Sequence, residues 1–327
     1  MSTIHNLLRK SLSGIILVLL PVSGMAASGE SVVCFSPESL TEKAVKEYAA
    51  CSDAYMHGVP DTLTICTNAA QVSDDPRILY LLSRIYIEGK HMAPNIGRHI
   101  SMLKKASAAH LADADADLAD IILNAYLQQE SKNESTGRQA IAYLDRAAAC
   151  GSEKALFRRA EISMHDDFKK LGIHDHDSGN AELKKLLLNG NPHAMVYGAM
   201  WLLHAEKPAD SGMNVTPENK PGHKLSFFDF LTGEYSKNPD YPLSLLEKAA
   251  DRGMKEAYKA LAEEYASSAD GETRLRGLAY ARAAAECRGL TTDALVKSYL
   301  NMPDIEESAA EAAVKSGKEI ADTRGCH

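Results

Sequence analysis

The chain has 327 residues, of which 45% are apolar, 24% charged and 6% aromatic, and its formal net charge is −8. This composition is typical of a folded protein and excludes collagen-like and disordered chains. A nucleic-acid surface needs clustered Lys and Arg, so we expect no nucleic-acid partner for this acidic chain. The sequence is rich in alanine and has one Trp and six Phe, which favours packed helices over β-sheets.

The first 26 residues have the pattern of a secretory signal peptide. Arg9 and Lys10 form a basic start, residues 15–22 an apolar stretch, and residues 24–26 a small-x-small cleavage site. The apolar stretch is too short to span a bilayer as a stable helix, and no comparably apolar stretch follows. We therefore predict cleavage after Ala26, export to the periplasm or beyond, and no membrane insertion.

Six cysteines follow the predicted cleavage site. An even number in an exported chain favours disulfides, and the absence of a C-x-x-C spacing argues against a zinc finger or a thioredoxin-like redox site. We favour three pairs, although the sequence by itself does not choose among the possible connectivities. The pairs are Cys51 with Cys66, Cys287 with Cys326, and Cys34 with Cys150. Residues 27–72 would form a disulfide-stapled helical cap.

An internal repeat is the most informative feature of the sequence. The repeat occurs in four copies. In each copy, Lys or Arg precedes two small or apolar residues, and a turn residue stands four positions after the first of these two. Alanines stand four and nine positions after the turn residue. The turn residues are His110, Gly151, Gly190 and Gly253, with a looser copy at Ala285 and Gly289. Glycine suits the left-handed conformation that ends a helix. We predict one helical hairpin per repeat, stacked on its neighbours in an all-α protein.

This pattern resembles the Sel-one-like repeats, which are relatives of the tetratricopeptide repeats. The segment from Tyr86 to Asn95 is also similar to the family's Tyr-x-x-Gly-x-Gly-Val-x-x-Asp/Asn turn, although its second glycine is missing. The resemblance covers about residues 50–300. It implies a right-handed α-solenoid that holds a protein partner, from the envelope or secreted, on an extended surface. We expect no cofactor and no enzymatic activity.

The longest spacing between consecutive turn residues, from Gly190 to Gly253, indicates an insertion over residues 207–239. We predict an irregular loop there, between helical repeats at 73–206 and further repeats with a C-terminal cap at 240–327. Four aromatic residues of this segment are candidate partner anchors, because aromatic side chains bury large areas at low entropic cost. The alternative is that they fold back over the adjacent hairpin. They are Phe227, Phe228, Phe230 and Tyr235.

A second hypothesis is divalent-metal binding. His165, His174 and His176 stand among four aspartates within a short segment, and imidazole with carboxylate suits zinc, copper or nickel. No fixed ligand spacing supports a preformed site.

Motifs of enzymes are mostly absent from the sequence. Ser101 and Lys104 have the S-x-x-K spacing of penicillin-interacting serine enzymes, but the partner motifs S-D-N and K-T-G are missing. A β-lactam-interacting enzyme is therefore the weakest alternative.

An acidic stripe follows the first of the four turns. Asp113, Asp117 and Asp120 lie on one side of a predicted helix. They would either be solvated or face a basic partner. On the sequence, we interpret the chain as an exported scaffold that binds another protein.

Overall fold

The structure is a computed structural model. It describes residues 32–89, 92–129, 132–204, 226–287, 294–302 and 305–326, which all lie in one compact unit. The predicted signal peptide and residues 207–225 of the predicted insertion fall outside these ranges. None of the helices in the described ranges combines the length and apolar character needed to cross a membrane.

Within the described ranges, all regular secondary structure is helical. Two short 3₁₀ helices, Pro37–Ser39 and Asp166–Leu171, accompany the α-helices. The α-helices are α1 (Glu42–Met56), α2 (Thr62–Val72), α3 (Pro76–Glu88), α4 (Ile96–Ala108), α5 (Ala112–Gln128), α6 (Glu134–Ala149), α7 (Glu153–Ser163), α8 (His176–Leu188), α9 (Pro192–His204), α10 (Phe227–Lys237), α11 (Tyr241–Asp251), α12 (Lys255–Ala266), α13 (Gly271–Cys287), α14 (Ala294–Leu300) and α15 (Glu307–Arg324).

The helices pack mainly on their neighbours in sequence. From α1 to α9, each helix contacts the next one. The helix that follows each turn residue also contacts its counterpart in the next repeat, so that α5, α7, α9 and α12 form one continuous layer. Contacts restricted to adjacent repeats define a solenoid. The predicted all-α solenoid is therefore confirmed.

The four predicted turns share one backbone geometry. Gly151, Gly190 and Gly253 have φ between 77° and 82°, and His110 has φ 61°. In each copy the N–H of the residue after the turn residue donates to the carbonyl five positions earlier, as in Leu111 to Ala106 at 3.2 Å. This is the Schellman ending of a helix, which requires a left-handed residue. The repeat register read from the sequence is therefore the register of the fold.

The alanines of the repeat lie between the helices. All eight are buried, with at most 5% of their surface exposed. A side chain that ends at Cβ lets helix axes approach closely while the interior stays densely packed. They are Ala114, Ala119, Ala155, Ala160, Ala194, Ala199, Ala257 and Ala262.

Three disulfides join the six cysteines in the favoured pairs. Cys51–Cys66 links α1 to α2, and Cys287–Cys326 links the end of α13 to the residues after α15. Cys34–Cys150 ties the segment before α1 to the end of α6. Both ends of the solenoid are thus cross-linked.

The prediction of an irregular loop is wrong for residues 227–237, which form α10. Ser226 and Asp229 make a reciprocal capping box at its start, with both hydrogen bonds at 3.1 Å. Phe227 and Leu231 are fully buried, and Leu231 packs against the backbone at Gly198 of α9. Helix α10 contacts α8, α9 and α11, so this part of the insertion belongs to the core.

Candidate functional site

One face of the layered helices carries charged and aromatic side chains at equivalent repeat positions. Residues three, seven and ten positions after each of the first three turn residues lie on one side of a helix, because they follow the i, i+4, i+7 spacing. We call this set the ladder face. It comprises Asp113, Asp117 and Asp120 of α5, Lys154, Arg158 and Glu161 of α7, and His193, Tyr197 and Met200 of α9.

Ion pairs cross the ladder face from α5 to α7. Lys154 pairs with Asp117 and, at 2.8 Å, with Asp120. Arg158 Nε lies 3.1 Å from Asp120 Oδ1, and its guanidinium also pairs with Glu161. Two aspartates of the predicted acidic stripe, Asp117 and Asp120, therefore pair with basic residues of the next repeat and are not simply solvated.

The polar network continues from α5 towards the N-terminal helices. Tyr80 of α3 lies close enough to Asp117 to lower the pKa of its carboxyl group. Arg84, one turn further along α3, pairs with Glu88 at 3.0 Å, and Tyr55 Oη of α1 donates to Glu88 Oε1 at 2.6 Å. Side chains of four helices, α1, α3, α5 and α7, are thus held in one network.

Burial and neighbouring charges shift the pKa values of Asp117 and Lys154 in opposite directions. Burial would raise the pKa of Asp117, but the charge and hydrogen bond of Lys154, with Arg84 and Tyr80, hold it below its ordinary value. Burial would lower the pKa of Lys154, but Asp117 and Asp120 raise it above its ordinary value. Asp117 and Lys154 are consequently both ionised at neutral pH although both are half-buried.

Aromatic rings adjoin the ionic network on the side of α9. The Phe157 ring lies 5.9 Å from the His193 ring and 5.5 Å from the Tyr197 ring. The ring centre of Phe228 of α10 lies 6.4 Å from the ring centre of Tyr197 and 4.8 Å from that of Trp201. All five rings are half-buried. We call these five residues the aromatic run.

Burial keeps His193 neutral near physiological pH. It lowers the pKa of His193 to about 4, with a further lowering by the charges of Lys154 and Arg252 that Asp120 and Asp117 oppose. The imidazole therefore behaves as an uncharged ring of the aromatic run.

The predicted anchor residues divide between core and surface. Phe227 is 0% exposed, so it contributes to this chain's own core and is not available to a partner. Phe228 is half-buried and belongs to the aromatic run. Phe230 is half-buried beneath the Lys184 ammonium, which lies 4.8 Å from its ring centre, and Tyr235 is also half-buried.

Each histidine of the metal hypothesis has a different neighbour in the structure. His174 Nε2 lies 3.4 Å from Asp166 Oδ1, and His176 Nδ1 lies 2.9 Å from the side chain of Asn180. His165 caps the 3₁₀ helix before them. Among the described residues, which include all three histidines, no group of three or more His, Cys, Asp or Glu is placed to hold a metal ion.

The S-x-x-K residues show no catalytic arrangement. Ser101 and Lys104 are both exposed on α4, and within the described ranges the structure has no hydrogen bond between them. A serine nucleophile needs a base within hydrogen-bond reach.

Sequence reasoning missed Lys154, Arg158, Phe157 and Tyr197. Counting along the repeat would have found three of them, because Lys154, Arg158 and Tyr197 stand in the same register as the acidic stripe. The alanines define the inward side of each helix, and the residues in the register of the acidic stripe lie on another side.

No family model and no curated protein matches this chain. Several solved structures are similar to it. A Sel1 repeat protein from Oxalobacter formigenes is 19% identical, with a TM-score of 0.40 over 76% of this chain and 90% of that one. The antigen c5321 of uropathogenic Escherichia coli, which has an SLR fold, is 15% identical, with a TM-score of 0.39 over 86% of this chain and 54% of that one. The immunity protein Pa5087 from Pseudomonas aeruginosa is 12% identical, with a TM-score of 0.43 over 85% of each chain.

Proposed function

We propose that this chain is an exported, non-enzymatic scaffold that binds a protein partner, from the envelope or secreted, on the ladder face and the aromatic run. One observation carries the proposal. Charged and aromatic side chains occupy equivalent positions of successive repeats and are half-buried, as in Lys154, Arg158 and Tyr197. The helix layer places them side by side, and Tyr197 also packs against the apolar core.

Fixed side chains favour binding on this face. Lys154 and Arg158 are long side chains that would lose conformational entropy on binding, but their ion pairs with Asp117, Asp120 and Glu161 already restrict them. Half-buried aromatic rings supply apolar area beside them, and such rings are common among the residues that dominate binding energy. We expect a partner segment that places an apolar side chain on the aromatic run.

The predicted export agrees with the cysteine chemistry. The structure pairs all six cysteines, and structural disulfides persist in oxidising compartments such as the periplasm. We therefore expect a partner from the same oxidising compartment.

Site-specific photo-crosslinking in cells tests the proposed surface. A photoreactive phenylalanine analogue would replace Trp201 of the aromatic run, and the matched control would carry it in place of Leu188 of α8, which is 63% exposed. We expect a discrete protein adduct from position 201 and none from position 188. The partner of that adduct should then bind the purified chain, and Tyr197→Ala should weaken the affinity at least about tenfold with unchanged helical circular dichroism.

Two outcomes would reject the proposal. Equal adducts from positions 201 and 188 would show that contact is nonspecific. A Tyr197→Ala variant that binds the purified partner as tightly as the wild-type chain would remove the aromatic run from the interface.

A further inference from the structure

The three disulfides differ in their access to solvent. Cys51 and Cys66 are 0% exposed, and Cys287 is 3% exposed while its partner Cys326 is half-buried. Cys150 is also half-buried, and Cys34 is the one exposed cysteine of the six. Thiol–disulfide exchange requires a thiolate to reach a sulfur atom, so Cys34–Cys150 is the bridge that a reductant reaches most readily in the folded protein.

This bridge holds a short segment, residues 32–41, which we call the strap. The strap contains one turn of 3₁₀ helix, Pro37–Ser39, and otherwise has no regular secondary structure. Val32 and Val33, beside the bridge, are 49% and 59% exposed. The strap therefore has little burial of its own at the end where the bridge is attached.

Few contacts besides the bridge fix the strap to the solenoid. Phe35 N–H donates to the carbonyl of His110 at 3.1 Å. The Phe35 ring packs against the cluster around Leu103 and Leu111, and the Arg77 guanidinium lies 5.7 Å from the ring centre. One hydrogen bond and one half-buried ring hold the strap only weakly.

The strap crosses two successive repeats at the edge where their turns lie. His110 follows the end of α4, and Cys150 follows the end of α6. The covalent bond at Cys150 thus anchors the strap one repeat beyond its hydrogen bond at His110. Loss of this bond would leave only the contacts of Phe35 to hold the strap against the first repeat.

We propose that Cys34–Cys150 is a thiol-exchange site, and that a dithiol reductant opens it to release the strap while the other two bridges stay closed. A thiolate of the dithiol attacks Sγ of Cys34, the more exposed cysteine, and forms a mixed disulfide. Cys150 leaves as a thiolate and takes a proton from water. The second thiol of the reductant then attacks its own sulfur in the mixed disulfide, which frees Cys34 as a thiol and oxidises the dithiol by two electrons.

Release changes the surface near the first repeats. Without the strap, the apolar ring of Phe35 leaves the cluster around Leu103 and Leu111, and the Arg77 guanidinium keeps its contact with Tyr48 of α1, whose ring centre lies 3.9 Å away. The turn edge of α4 and α5 becomes accessible while the helices themselves remain packed.

Graded reduction of the native protein tests the exchange site. The folded chain would be incubated with dithiothreitol, quenched with N-ethylmaleimide at successive times, and analysed by peptide mass spectrometry. We expect Cys34 and Cys150 to be alkylated at least about tenfold faster than the other four cysteines. Equal rates for the three bridges, or earlier opening of Cys51–Cys66, would overturn the proposal.

Hydrogen exchange tests the release of the strap. In the reduced protein and in a Cys34→Ser/Cys150→Ser variant, amides of residues 32–41 should exchange faster, with protection of α5 and α7 unchanged. Continued protection of residues 32–41 after reduction would overturn the release step. If the double variant does not fold, the reduction of the wild-type chain still decides the question, because it starts from folded protein.

A matched variant separates release from general loosening. Cys51→Ser/Cys66→Ser removes a bridge of the same chemistry that is fully buried between α1 and α2. We expect it to increase exchange in α1 and α2 and to leave the rate of Cys34–Cys150 reduction within about twofold of the wild-type rate. A large acceleration of that reduction would show that opening of the bridge follows global unfolding.

Discussion

His110 has a backbone conformation that is unusual for its residue type. Among the described residues it is the one non-glycine with positive φ, at 61°, and it stands where the other three turns have glycine. A side chain with Cβ costs about 1–2 kcal/mol in the left-handed region. Its Nδ1 atom is also buried without a hydrogen-bond partner in the described structure. This turn therefore stores strain that the equivalent turns lack.

We predict that His110→Gly stabilises the protein. The free energy of unfolding should rise by about 0.5–1 kcal/mol, because the relief of left-handed strain exceeds the added flexibility of the unfolded chain. Urea unfolding followed by circular dichroism measures it. The control is Gly151→Ala, which should lower the free energy of unfolding by about 1 kcal/mol. No atom lies within 4 Å of the added Cβ, so the change in free energy would come from the left-handed backbone conformation. A loss of stability in His110→Gly would contradict the strain.

His193 predicts a pH dependence of stability. The unfolded side chain has a pKa of 6.5, and burial lowers the pKa in the folded state to about 4. Between these values the unfolded chain binds a proton that the folded chain does not bind. The free energy of unfolding should therefore fall as the pH falls from 6.5 to 4, by at most about 1.4 kcal/mol per pH unit.

Urea unfolding at several pH values checks this contribution. His193→Gln should reduce the slope below pH 6.5, and part of the slope should remain because burial also lowers the pKa of His99. His57→Gln is the control, since this histidine is exposed on the surface. An unchanged slope in His193→Gln would mean that the ring is solvated in the folded state.

At the scale of helices, a glycine marks a close approach of two helices in the C-terminal part. Gly317 of α15 faces α13, and an added Cβ would overlap the carbonyl oxygen of Ala279 and the Cβ of Arg282. Backbone cannot move aside as a flexible side chain can. The packing of α13 on α15 therefore depends on the missing side chain.

We predict opposite effects for two glycine-to-alanine changes. Gly317→Ala should lower the free energy of unfolding by about 2–3 kcal/mol, because the helices must separate. Gly233→Ala in α10 should raise it by about 0.5–1 kcal/mol, since nothing lies within 4 Å of the added Cβ and alanine favours a helix interior. Thermal unfolding of both variants measures the difference. Similar effects in the two variants would argue against the close contact at Ala279.

At the scale of the whole molecule, contacts between adjacent repeats should make unfolding local. The bridge Cys287–Cys326 connects elements within the C-terminal end, α13 and the residues after α15. In a solenoid, a change at one end reaches the other end only through the intervening interfaces.

A Cys287→Ser/Cys326→Ser variant tests this locality. Amide exchange should accelerate in α13 and α15 and remain at the wild-type rate in α5 and α7, as measured by hydrogen-exchange mass spectrometry. Unchanged exchange in α5 and α7 is thus the internal control. Uniform acceleration over the described residues would show that the repeats unfold as one cooperative unit.

Several features of the fold were predicted from the sequence by local chemistry. The left-handed turn residues and the buried alanines repeat at fixed spacings, because a helix ending and a helix face are determined within a few residues. The favoured cysteine pairs also match the structure. Helix α10 could have been predicted as well, since Ser226 and Asp229 have the spacing of a capping box.

The candidate site depended on contacts that no local pattern contains. Asp117 meets Lys154 from the next repeat, 37 residues along the chain, and the aromatic run joins α7, α9 and α10. The burial of Phe227 also depended on such contacts. We predicted it as a partner anchor, and it is instead buried beside α9. The sequence by itself determined the helices, the turns and the repeat register, because these follow from local conformational preferences. Which charges pair, and which aromatic rings stay accessible, was decided by the tertiary structure, because it depends on how one repeat packs against the next.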